Sequence, residues 1–199
     1  MSGFAGVLAC GGGSSFTPVT RTYSAGVVGA TETAPTGASN VSITVWGAGG
    51  GGARDNLGSA SGGASGAYVQ KAQATSGGST FTYTVGFSGA GHVTAQGSGS
   101  AGSASTVTTP ALSAGGGGGG VLSGTAAVGG AAAGGTVNTA GNNSLATAPD
   151  GYGAPNGGGN QTTQGAVGTV PGGGGASNYG GDGGRGAMRW ATALFSPRS

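Results

Sequence analysis

The sequence predicts an all-β protein: an antiparallel β-sandwich-like framework with long glycine-rich, partly polyproline-II-like loops and no helices. Three observations lead there. Residues 41–46 (Val-Ser-Ile-Thr-Val-Trp) and 80–85 (Thr-Phe-Thr-Tyr-Thr-Val) alternate along the two-residue period of a half-buried strand. Glycine supplies 53 of the 199 residues, and each glycine inside a helix costs about 1 kcal/mol relative to alanine. No segment repeats its apolar residues every 3.6 positions. Finally, Val, Ile, Leu and Phe number 27, too few for an ordinary core, while a net charge of +2 is too small for a solvated, disordered tail.

The elements follow in chain order. Residues 1–18 form an N-terminal arm, and residues 19–199 a glycine-rich β domain. In the arm Phe4, Val7, Leu8 and Phe16 stand among Gly and Ser with no period. The arm is either a flexible terminus or a docking segment that contacts another chain through those four side chains, which have no local partners. Residues 19–25 suit a strand with Val19, Arg21 and Tyr23 on one side, and 27–34 can continue the pair. Pro35-Thr36-Gly37 signals a turn before the 41–46 strand. Residues 67–74 and 79–86, separated by Gly77-Gly78, read as a hairpin. Large side chains then thin out, with short strands expected at 104–109, 121–128 and 136–139. The last strand covers 187–193. It should share one framework with 41–46, because both strands adjoin glycine-rich stretches and carry Trp at matching places, Trp46 and Trp190.

Glycine loses more conformational freedom on folding than any other residue, and few large side chains offset the loss. Backbone hydrogen bonding must carry an unusual share. Polyproline-II-like glycine strands can do this when bundled, by bonding laterally. No strict Gly-X-Y period is present, which excludes collagen.

Catalytic and metal chemistry find little to work with. The acids are Glu32, Asp55, Asp150 and Asp182, with one histidine, His92, and one cysteine, Cys10. One cysteine excludes an intrachain disulfide, and no basic residue precedes Cys10 as a signal peptide would require. No catalytic residue, cofactor site or metal site is expected. Asp182 in Gly180-Gly181-Asp182-Gly183-Gly184 reads as a turn residue before a Ca²⁺ ligand. Matches to G-x-G-x-x-G arise by chance at this glycine content and lack the helix that gives them meaning. Two charges of imbalance make no nucleic-acid footprint, and no apolar run is long enough for a membrane helix.

The order of blocks carries a resemblance. Val41–Gly52 (V-S-I-T-V-W-G-A-G-G-G-G), then Gly66–Lys71 (G-A-Y-V-Q-K), then Phe81–Gly86 (F-T-Y-T-V-G), then repeated glycine runs, then G-D-G-G-R-G at 181–186 before the final strand, resembles the glycine-rich domain of bacteriophage virion proteins of the tail-fibre and adhesin type. The resemblance covers roughly residues 20 to 195. Two departures stand out: Arg54-Asp55-Asn56-Leu57 interrupts the first run, and the longest run is only Gly115–Gly120. The resemblance implies a non-enzymatic virion protein, made in the bacterial host cytoplasm, acting as a fibre, spike or receptor-binding element. Capsid decoration, or a glycine-rich ice-binding or cell-surface role, are the alternatives. Expected partners are other virion proteins through the arm, further copies of the chain, and a host surface glycan or outer-membrane protein. Receptor contacts are expected from loops 142–163 and 176–184, with Tyr152, Asn156, Asn160, Tyr179 and Asp182 as candidates. These pair isolated tyrosines with small polar residues, as recognition loops do. Packing of the rings over glycine backbone is the competing reading.

Overall fold

The computed structural model describes residues 17–55, 60–122, 125–146, 150–177 and 187–193. The arm candidates Phe4, Val7, Leu8 and Phe16, and the loop candidates Tyr179 and Asp182, lie outside the described residues.

The strands are β1 (Thr20–Tyr23), β2 (Val27–Thr33), β3 (Asn40–Trp46), β4 (Tyr68–Ala74), β5 (Thr80–Val85), β6 (Ser105–Val107), β7 (Leu112–Ala114), β8 (Ala132–Ala133), β9 (Val137–Thr139) and β10 (Ala187–Ala193). Among the described residues they build two five-stranded sheets, ordered β1-β10-β3-β4-β9 and β2-β5-β6-β7-β8. Every pairing is antiparallel. The sheets face each other across one core. Val41, Ile43, Val45 and Val69 come from the first sheet, and Phe81, Tyr83, Val85, Val107 and Leu112 from the second. The alternation in β3 and β5 thus puts one set of side chains inside, as a sandwich requires.

β10 pairs with β3 along its full length, from Ala187 opposite Trp46 to Ala193 opposite Asn40. The two framing strands are therefore neighbours, as the sequence predicts. The hairpin does not form. β4 lies beside β3 and β9, whereas β5 lies in the opposite sheet beside β2 and β6. The 75–79 connection instead arches across the core and bonds to the 34–39 connection. Ala34 N–H donates to Ser79 O at 2.8 Å, Gly78 N–H to Ala34 O at 2.8 Å, and Thr75 N–H to Ser39 O at 2.9 Å. The physical reason is burial: splitting the strands sets Val69 in one sheet and Phe81, Tyr83 and Val85 in the other, so that both sheets contribute to one buried cluster. β2 likewise joins the second sheet rather than pairing with β1, bending at a register shift around Gly29, whose φ is +64°. The 121–128 strand is absent from the described part of that segment, while 105–107 and 137–139 fall within the stretches expected.

Candidate functional site

Between the strands run extended segments that belong to neither sheet. Their hydrogen bonds recur every third residue. Gly47, Gly50 and Ala53 donate to the carbonyls of Ala67, Ala64 and Ser61, at 2.9, 3.0 and 3.3 Å. One residue further round, Ala48, Gly51 and Arg54 donate to Ser103, Ser100 and Gly97, at 3.1, 3.0 and 2.9 Å. A period of three with all bonds lateral is the signature of polyproline-II helices, which turn once per three residues and form no internal hydrogen bonds. The glycine-rich segments are rods in a lattice.

Rod 60–67 shows how close the packing is. It bonds to rod 47–54 as above and to 115–121 through Ser61→Val121, Ala64→Gly118 and Ala67→Gly115. Gly63 and Gly66 donate to Gly175 and Gly172, and Ser65 donates to Asn142. Gly130 and Tyr152 donate to the carbonyls of Ser65 and Gly63. Six neighbours surround one rod, the number reached by close-packed cylinders.

This geometry explains where glycine is needed. A Cβ on Gly50 would stand 2.0 Å from the carbonyl oxygen of Gly118, and one on Gly117 would stand 2.1 Å from that of Ala64. The outer rod 97–104 meets the lattice through Gly99 and Gly102, where an added Cβ would stand 2.2 and 2.4 Å from the Gly51 and Ala48 oxygens, and exposes Ser98, Ser100, Ala101 and Ser103. The outer rod keeps glycine at every third position, where it faces its neighbours, and even rod 60–67, buried throughout, admits Ala and Ser between its glycines. Buried serines close gaps in the network. Ser65 Oγ accepts from Asn142 N–H at 2.7 Å, Ser61 Oγ from Val121 N–H at 2.9 Å and Ser144 Oγ from Ala127 N–H at 2.7 Å.

The rods leave the strand ends on one side of the sandwich, so the bundle has a base at the sheets and a far end. At the far end the Arg54 side chain donates to the Val93 carbonyl, and Gln96 Nε2 donates to Asp55 Oδ1 at 2.9 Å. Loop 92–97 is thereby fastened to the tip of rod 47–54. At the base the half-buried Trp46 donates from Nε1 to the carbonyls of Pro155 and Asn156, both at 3.2 Å, and meets Tyr68 edge-on at 5.4 Å.

A family model described as a glycine-rich domain matches residues 22–194. The chain belongs to the glycine-rich domain family. The matched span takes in sandwich and rods together, from within β1 through β10. A comparison with curated proteins finds no match.

The candidate recognition residues of this glycine-rich domain divide by position. Tyr152 is half-buried within the lattice: its N–H donates to Gly63 and its carbonyl accepts from Gly174. Burial, then the charge of Asp150, raises its phenol above the usual tyrosine value. Asn160 Oδ1 accepts from Gly153 N–H at 2.6 Å, so its side chain braces a turn. Asn156 is exposed at the base with φ +50°. Residues 140–144 and 150–154 are thus rods rather than free loops, which the sequence reading missed. The threefold spacing that defines them lies in Gly141 and Ser144 donating to Gly130 and Ala127, and Gly151 and Ala154 donating to Gln161 and Gly158. Of the acids, Glu32 is bonded by Arg21 and Tyr23 and Asp55 by Gln96. Among the described residues no three His, Cys, Asp or Glu side chains lie together as a metal-binding set. No described helix is long and apolar enough to cross a membrane.

Proposed function

We propose that this glycine-rich domain is a non-enzymatic structural protein of a bacteriophage virion, serving as a fibre, spike or receptor-binding element in host attachment. The observation that carries the reading is the rod lattice. Rods of about eight residues span about 25 Å at 3.1 Å per residue. Lateral bonds stiffen them, and they hold connecting loops away from the sandwich. A rigid support bearing loops is the usual arrangement for recognition. The likeness of its block order to tail-fibre and adhesin domains supplies the viral context. In this reading the 1–18 arm docks on other virion proteins, copies of the chain associate, and the loops meet a host surface glycan or outer-membrane protein.

The test is to locate the protein on purified particles by electron cryo-microscopy and to ask whether the isolated protein competes with particles for host cells. A position at the tail tip or on a spike, with competition, supports attachment. A regular array over the shell without competition means a decoration protein that binds coat subunits. Absence from the particle overturns the proposal.

A further inference from the structure

A groove at the base of the bundle has the make-up of a saccharide site. Two adjoining cavities, of about 490 and 420 Å³, share Thr22 and Ser24 at the end of β1. The first is bounded by Trp46, Asn156 and Pro171, the second by Tyr23 and Tyr83. The described lining carries no charged side chain. Thr22, Ser24 and Asn156 are exposed, and their side chains form no hydrogen bond among the described residues.

Trp46 is held ready. Its N–H is fixed by two carbonyls, its edge rests near Tyr68, and a Cβ on Gly157 would come within 3.0 Å of its Cδ1. Glycine at 157 is therefore what lets the 155–157 turn seat against the indole. A fixed aromatic surface costs little entropy on binding. An aromatic surface ringed by hydroxyl and amide groups fits a pyranose, whose C–H face packs on the ring while its hydroxyls meet the polar groups.

We propose that this groove binds one unit of a neutral saccharide. It takes in Asn156 of the 142–163 loop, so the proposal rests on the attachment reading and gives it a site; a failure to bind saccharide would leave the position on the particle, tested above, unaffected.

Saturation-transfer NMR on the full chain tests it, with neutral oligosaccharides of hexose, deoxyhexose and N-acetylhexosamine units, against sialylated and uronic-acid oligomers. At least one neutral oligosaccharide should bind, with Kd on the order of 1 mM or tighter. Ser24→Trp, which fills the groove from an exposed position, should abolish binding. Asn156→Gly suits the positive φ, keeps the backbone carbonyl on Trp46 and removes the amide. It should weaken binding by about three- to tenfold. Thermal melting of each variant confirms that it is folded. No binding by any neutral oligomer overturns the proposal, as does binding unaltered in a folded variant. A preference for acidic oligomers also overturns it, and would point to Arg189, which stands opposite Thr22 in the β1–β10 register.

Discussion

Arg21 of β1 and Glu32 of β2 form a hydrogen-bonded ion pair that ties an edge strand of one sheet to an edge strand of the other. Tyr23 donates to the second carboxylate oxygen and lies 5.0 Å from Tyr83 between ring centroids. The pair is lopsided: Glu32 is 6% exposed and Arg21 53%. The carboxylate depends on its two donors, while the guanidinium keeps much of its water. Glu32→Ala should therefore cost about 2 kcal/mol, nearer a charged hydrogen bond than a buried salt bridge. Denaturant titration measures it. An unchanged midpoint would mean that the sheets do not need this tie.

The lattice makes a sharper prediction from two glycines. Gly50→Ala would place a methyl 2.0 Å from the Gly118 oxygen, with four other segments bonded to the same rod and barring retreat. It should cost more than about 3 kcal/mol, the upper range for overpacking. Gly159→Ala meets nothing within 4 Å. It should be neutral or stabilise by about 0.5 kcal/mol through the unfolded chain. Thermal melts of the two variants decide it, and equal effects would refute the lattice as the source of the glycine requirement.

Those glycines also mark how much of the structure the sequence discloses. Alternation gave β3 and β5, because each strand has one buried face. The pairing of β3 with β10 was legible from matching ends. The sheet to which β5 belongs was not, because alternation fixes which face is buried but not which sheet the strand joins. β7 and β8 have three and two residues, too few for a period to register. Polyproline-II-like glycine segments were expected, but which residues form them was not legible, because unbroken glycine does not mark them. In rod 97–104 only the positions facing neighbours must lack a side chain, and Ser or Ala fills the rest. At the base groove, Asn156 could be picked out as a polar residue in a turn. Its association with Trp46, 110 positions away, follows from the lattice and has no local signal.

Buried serines should behave as parts of the backbone network. Ser65 is fully buried and accepts from Asn142 N–H at 2.7 Å. Ser65→Ala keeps the Cβ and strands that donor. Leaving a buried donor unpaired costs about 1–3 kcal/mol, and this part-buried bond should fall near the lower end, about 1 kcal/mol. Ser76→Ala, on an exposed turn, serves as the control and should cost less than about 0.5 kcal/mol. Chemical denaturation separates them, and equal losses would mean that the Ser65 hydroxyl is not structural.

Alkaline pH should weaken the fold. Tyr23, Tyr83 and Tyr152 all hold their protons above the usual value of 10.0, with burial the largest cause for each. The folded protein keeps these protons more tightly than the unfolded chain. The associated stability is therefore full below about pH 10, the unfolded value, and is lost as pH rises from there through the raised folded-state values. From these groups, the melting temperature should be level between about pH 7 and 9 and fall above about 10. Tyr23→Phe should shallow the fall. A melting temperature level up to about pH 11 would contradict the burial of these phenols.

Hydrogen exchange should report the lattice residue by residue. The donors Gly50, Ala53, Ser61, Ala64 and Ala67 are buried and bonded to other rods. None can open without parting rods that several neighbours hold together. Their exchange should approach the rate set by global unfolding, as in a core strand. Residues 93–96, exposed at the far end, should exchange orders of magnitude faster. A glycine-rich stretch that was merely collapsed would instead exchange quickly throughout, leaving protection only in the strands. Protection of Ser61, Ala64 and Ala67 equal to that of Ile43 would place rods and sandwich in one cooperative unit. Fast exchange at those three amides with slow exchange at Ile43 would show that the rods part while the sandwich holds, and the stiffness on which the attachment proposal rests would be lost.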